Sequence, residues 1–378
     1  MNADVGIIGI GTMGSMALWQ LARKGISVIG FEQFGTGHDR SAAGGETRLF
    51  RTAYKEGSEY VPILKSAYQQ WRELESETGK NLLTINGGLA IGDSDSDKMK
   101  RIIDCIEKFD LGHEILTTKE AKERFPQHRL LPNEIMIVDK QAGFLRPENA
   151  IVTATQRAEE LGAKVYRHTC AEDIQVHSDG VTVRTNGKDY KFQQVIITTG
   201  PWAGEFLYDY KQDIEVRRLL STWFIAKDIN LFSPEKFPIF QRETNGVDYY
   251  GTPSMDKSMV KISLSSREID KIMGPNQLDR NVDLESLSVV RQIVEKDLPD
   301  LFPDPVRVSA HMEAYTTDKH AIVGRLPENN RIIAASGFSG HGFKMAPAIG
   351  KLIADIISNN QPEFPVDHLS PNRFIQYQ

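Results

Sequence analysis

Hydrophobic and polar positions in this chain follow two rhythms, and both occur within the first thirty-two residues. Val5, Ile7 and Ile8 make an apolar run of strand length, and a helical spacing then carries Met16, Ala17, Leu18, Leu21 and Ala22. Gly9-x-Gly11-x-x-Gly14 joins them, and a second apolar run over residues 27–31 closes on Glu32. Strand, glycine turn, helix, strand and terminal acid in that order predict a cradle for a dinucleotide pyrophosphate. Gly9 permits the sharp turn, Gly11 admits phosphates without a Cβ in the way, and Gly14 lets the helix lie close on the strand. The first helical turn, with Thr12 and Met13, then offers its N–H groups and positive dipole end to the anion. Glu32 falls about 20 residues past the turn, where a ribose hydroxyl needs an acceptor, with Gln33 beside it. A carboxylate there repels a 2′-phosphate and argues against NADP. The unit alone does not choose between FAD and NAD.

Farther along, residues 59–79 read as a helix with Leu64, Ala67, Trp71 and Leu74 on one face. A glycine-bounded strand is expected over 87–92, polar helical material over 93–125, and a helix over 148–161. Residues 163–166 read as a strand. Residues 171–176 and 181–185 are expected to pair across Ser178-Asp179-Gly180. The run 194–200 reads as a buried strand ending in a small-residue turn, and strand signals fill 215–265. A strand over 331–335 and a helix over 346–357 close the pattern.

Bulk properties narrow the function classes. With 378 residues the chain can build two domains or one elaborated domain. A net charge of −6 disfavours a nucleic-acid surface. No apolar stretch approaches the ~20 residues of a membrane span. No signal peptide is expected, because the first apolar run is too short. The two cysteines, Cys105 and Cys170, support neither a disulfide framework nor a metal site. A cytoplasmic protein is the expectation.

Glycine-terminated strands that can face one cofactor occur at the start, middle and end of the chain. That layout suits FAD threaded through a discontinuous domain better than a contiguous NAD unit. The expected fold is α/β (α+β): a Rossmann-like FAD-binding domain over 1–80, 145–212 and 306–378, with a mixed or antiparallel-sheet substrate domain over 81–144 and 213–305.

Three segments carry a resemblance: Gly44-Gly45-Glu46-Thr47-Arg48-Leu49-Phe50-Arg51 with Tyr54-Lys55-Glu56-Gly57 and Tyr60-Val61-Pro62; Tyr249-Tyr250-Gly251-x-Pro253 with Lys261; and residues 336–344, SGFSGHGFK. Together with the cradle and the Thr199-Gly200-x-Trp202 turn, they make the chain resemble the monomeric sarcosine oxidase family of flavoenzymes, within the D-amino-acid-oxidase-like fold. The resemblance implies an oxidase of secondary amines that bear a carboxylate, with O2 as acceptor and H2O2 as product, working as a monomer or weak homo-oligomer. It implies Arg51 and Lys344 on the substrate carboxylate, with Tyr250 and Tyr315 shaping the cavity. It implies Arg48 against the flavin ring and Lys261 promoting the reaction with O2. Gly44, Gly45, Thr47, Ala171, Gly340, His341, Gly342 and Phe343 are implied cofactor contacts. Glu46 is expected to pair with an arginine, and Asp318, Lys319 and His320 to form a polar loop.

Two departures refine this. Family members carry a His-His pair where this chain has Ala43-Gly44, which looks more like the bacterial fructosyl-amino-acid oxidases. Small side chains there would leave room for a bulky substituent on nitrogen. A fructosyl amino acid is therefore the expected substrate, with sarcosine or an N-methyl-L-amino acid as the alternative. Ser265 likewise stands where sarcosine oxidases place a histidine. The linking cysteine of covalent family members is replaced by Glu313, which implies non-covalent FAD.

Overall fold

The computed structural model describes residues 1–54, 56–265 and 270–374. Its first layer is a six-stranded sheet in the order Ile322–Leu326, Asn329–Ser336, Gln194–Ile197, Val5–Ile8, Val28–Phe31, Lys164–Tyr166. The last five strands run parallel, with Ile8 opposite both Phe31 and Ile197. Parallel strands covered on both faces must be apolar throughout, and Val195, Ile196 and Ile197 are fully buried. The helix Thr12–Arg23 covers one face and packs against Pro147–Glu160 and Ala346–Ile357. The backbones come so close that a Cβ on Gly350 would lie 2.6 Å from the carbonyl carbon of Met16.

The second layer is a larger, mostly antiparallel sheet. Its main path is Lys271–Ile272, Ile214–Phe224, Val260–Leu264, Val247–Thr252, Ile239–Thr244, Gly88–Asp93, Glu134–Asp139, His113–Leu116. The strand Arg307–Thr316, which the sequence division grouped with the cofactor-binding segments, pairs with Ile214–Phe224 from Ile214↔Thr316 to Trp223↔Arg307. A small sheet of Arg48–Phe50, Gly143–Leu145 and Leu83–Ile85 lies between the layers in sequence and carries Arg48 at its edge.

Two elements differ from the pattern-based expectation. The stretch 93–125 holds a strand, His113–Leu116, between the helices Asp97–Phe109 and Thr118–Arg124. Only Leu116 of that strand is buried, so its alternation is too weak to stand out. The expected hairpin gains a third strand, Lys188–Phe192, whose Phe192 fills the space above Gly6. The helix after Tyr60 spans Val61–Thr78 and ends on Gly79 at φ 67°. No helix among the described residues is long and apolar enough to cross a membrane.

Candidate active site

A cavity of about 360 Å3 opens between the two sheets. The glycine turn forms part of its wall. Gly9 sits at φ +89°, where a Cβ would come 2.8 Å from the Thr198 carbonyl oxygen, and a Cβ on Gly14 would lie 1.9 Å from the Gly9 oxygen. Gly11 faces open space and caps the helix without a side-chain bond, which leaves first-turn N–H groups to a ligand. Glu32 is 3 % exposed and holds the turn shut: its two carboxylate oxygens accept from Ile10 N at 3.0 Å and Phe34 N at 2.8 Å.

Two cations flank a buried tyrosine in another part of the wall. The Arg51 guanidinium carbon and Lys344 Nζ each stand 5.0 Å from the ring centre of Tyr54. Arg51 Nη2 donates to Glu56 Oε1 at 3.0 Å. Burial works against the charge on Arg51, but Glu56 more than restores it, so the guanidinium stays charged. Lys344 Nζ donates to the Tyr54 hydroxyl at 3.1 Å and to the His341 carbonyl at 2.8 Å. His341 Nε2 lies 3.1 Å from the Lys319 carbonyl, which only accepts, so Nε2 bears the proton. Nδ1 therefore accepts from the Tyr54 hydroxyl at 2.8 Å. Burial pushes His341 down to about 4, which keeps the ring neutral and the chain of bonds polarised one way.

Lys261 lies behind the wall, 1 % exposed on Val260–Leu264. Its Nζ donates to the Gly45 carbonyl at 2.8 Å, beside the rings of Trp223 and Tyr250 at 5.4 and 5.9 Å. Burial, and then the charge of Arg48, hold its pKa well below the usual lysine range. The loop over it is fixed from both sides. Glu148 Oε1 accepts from Gly45 N at 2.8 Å and Glu46 N at 3.0 Å, while Arg48 donates to the carbonyls of Ala42, Gly44 and Thr47. Glu46 accepts from the Trp223 indole at 2.9 Å, where an arginine partner was expected.

Most of the expected contacts reach this cavity. Gly9, Gly11, Thr12, Met13, Glu32, Gln33, Arg48, Ala171, Thr199, Gly200, Trp202 and Gly340 to Lys344 line it, together with Arg51, Tyr250 and Tyr315. Gly14, Gly44, Gly45, Thr47 and Lys261 form the layer behind. His341 presents its imidazole to Tyr54 and Lys319. Asp318 pairs with Arg373, and His320 Nδ1 meets the Tyr60 hydroxyl at 2.7 Å, so that loop serves packing. Lys55 lies outside the described residues.

Sequence reasoning missed His311. Its ring fills the space at Gly44, where a Cβ would lie 2.7 Å from both Cε1 and Nδ1. No local pattern signals this, because Gly44 lies in a loop far along the chain from the strand that carries His311. Tyr54 and Glu56 stood inside a quoted motif without a role.

A family model described as "FAD dependent oxidoreductase" matches residues 4–356. Monomeric sarcosine oxidase of Streptomyces avermitilis is 31 % identical over 373 residues, covering 98 % of this chain and 97 % of the relative. N-methyl-L-tryptophan oxidase of Citrobacter koseri is 27 % identical over 383 residues, with both chains fully covered. A solved structure, fructosyl amine:oxygen oxidoreductase (Amadoriase I) of Aspergillus fumigatus, superposes at a TM-score of 0.81 with 18 % identity, covering 98 % of this chain and 89 % of that one. That last likeness is one of fold.

Proposed function

This chain belongs to the FAD-dependent oxidoreductase family, and from that premise we propose an oxidase of secondary amino acids, acting on sarcosine or an N-methyl-L-amino acid with O2 as acceptor. The observation that carries the reading is the clamp: two cations beside one buried tyrosine, one of them already holding a carboxylate. A substrate carboxylate takes the place of Glu56 on Arg51, bidentately, with Lys344 as its second partner. Tyr250 and Tyr315 bound the space over which the amine lies.

The fructosyl expectation rested on the likeness of the segment around Ala43-Gly44 to fructosyl-amino-acid oxidases and on the room it would leave, and His311 occupies the room at Gly44. The full-length relatives also lie on the sarcosine and N-methyl branch. Ser265 lines the cavity where sarcosine oxidases are expected to carry a histidine.

The residues fit FAD. The space over Gly11, the uncapped first turn of Thr12–Arg23 and the Glu32 carboxylate suit a pyrophosphate and a ribose, within the segments 1–80, 145–212 and 306–378. Bound FAD supplies the two-electron chemistry. The protein supplies placement, exclusion of water and electrostatics. Lys261 gives a positive charge in a dry layer where negative charge develops on oxygen. Attachment is proposed to be non-covalent, because Glu313 presents a half-buried carboxyl to the cavity in place of a thiol, and acid precipitation should leave the yellow colour in solution. A cytoplasmic monomer or weak homo-oligomer completes the reading.

The test is a coupled H2O2 assay offering sarcosine, N-methyl-L-tryptophan, fructosyl-valine, fructosyl-glycine and ε-fructosyl-lysine in parallel. Turnover of an N-methyl substrate with little on the fructosyl adducts is expected. The opposite preference would return the chain to the fructosyl branch.

A further inference from the structure

His311 is 2 % exposed on Arg307–Thr316, and its two ring nitrogens have different surroundings. Nδ1 lies 3.3 Å from the Asp39 carbonyl, which can only accept, so Nδ1 carries the ring proton. Nε2 is then a bare lone pair, fully buried, with no hydrogen-bond partner among the described residues. Buried acceptors without a donor are rare in folded proteins. The neighbours of this one are specific. The point where a Cβ on Gly45 would sit is 3.4 Å from His311 Nε2, 3.2 Å from Lys261 Nζ and 3.1 Å from Ser221 Oγ. Lys261 directs one N–H to the Gly45 carbonyl and has others to give.

We propose that His311 is a positioning residue for Lys261: its Nε2, unbonded in this structure, is the acceptor that the Lys261 ammonium group turns to across the gap above Gly45, and so keeps the charge beside the cavity. The two glycines belong to the same device. A side chain at Gly44 would collide with the imidazole, and one at Gly45 would fill the gap. The inference rests on the role given to Lys261 in the oxidase reading.

The charges around the pair are mixed. Lys261 faces Arg48 and Arg307 as like charges and Glu148 and Glu46 as opposite ones; His311 faces Arg48, Lys261 and Arg280. A neutral acceptor favours the charged amine, so its removal lowers the Lys261 pKa further.

The experiment follows Lys261 itself, by NMR titration of 13Cε-lysine-labelled protein with and without FAD, using Lys261→Met to assign the resonance. His311→Leu is expected to move the titration down by about one unit, a tenfold change in proton affinity, and His311→Gln, which keeps an acceptor, to restore most of it. The alkaline limb of flavin reoxidation against pH should shift the same way while anaerobic reduction stays unchanged. An unmoved Lys261 titration in His311→Leu, or a glutamine variant no better than leucine, overturns the proposal. Should His311→Leu not fold, the 15N-imidazole spectrum of the unaltered protein decides: a proton on Nε2 rejects the proposal, and one on Nδ1 with His311→Gln titrating normally supports it. The oxidase reading fails separately, if no N-methyl amino acid reduces the flavin.

Discussion

The glycine cradle and the cationic clamp line one cavity but are made of different material. The cradle is backbone: what matters at Gly9, Gly11 and Gly14 is a missing side chain and the N–H groups behind it. The clamp is side chain: Arg51, Tyr54, His341 and Lys344 come from segments almost three hundred residues apart and meet through polarised hydrogen bonds. At Gly9 and Gly14 the backbone leaves no room for an added atom, and at Gly11 the open space is what a ligand needs. A side-chain site loses function in steps, one bond at a time.

That contrast can be broken, and the largest effect should come from the cradle. Gly14→Ala places a Cβ 1.9 Å from the Gly9 oxygen, which main chain cannot yield cheaply. A loss of about 3 kcal/mol or more and little retained flavin are expected, read as a lower melting temperature and a lower ratio of 450 to 280 nm absorbance. Near-normal flavin content would show that the turn is softer than the geometry says.

Acid should act on the other region. His311 and His341 are held neutral, with pKa values pushed down to about 3 and about 4 by burial, while the unfolded chain titrates near 6.5. Between those values the unfolded state binds more protons, so stability falls as pH drops from about 6.5 towards 4, by up to about 2.7 kcal/mol per pH unit for the two together. Denaturant midpoints across that range check the slope. A His341→Asn variant should flatten it, and an unchanged slope would remove His341 from the account.

Arg51→Met removes the bidentate partner of the substrate carboxylate. A fall of about 100-fold in kcat/KM, carried mostly by KM, is expected. Loss confined to kcat would instead assign Arg51 to the chemical step. Tyr54→Phe is milder: Lys344 keeps its bond to the His341 carbonyl, and roughly a tenfold rise in KM is expected, with the flavin content untouched.

The same contrast explains what the sequence made legible. The cradle and the helix Ala346–Ile357 could be read directly, because short-range periodicity and glycine spacing determine both. Lys261 could be placed on an apolar strand, but its bond to Gly45 could not, since 216 positions separate them. His311 was invisible for the same reason. The empty position at Gly44 read as room, whereas the His311 ring from a distant strand fills it. Local patterns report which atoms are missing from a segment. They do not report what arrives from elsewhere.

The close packing of Gly350 on Met16 also sets a clock for synthesis. The helix Thr12–Arg23 leaves the ribosome more than three hundred residues ahead of Ala346–Ile357, one of the two helices that pack on it. At about 5–20 residues per second that is an interval of tens of seconds. Met16, Leu18 and Leu21, all fully buried in the finished protein, lack part of their final cover through that time, even after Pro147–Glu160 has been made. The most recognisable stretch of the chain is therefore among the last to be secured.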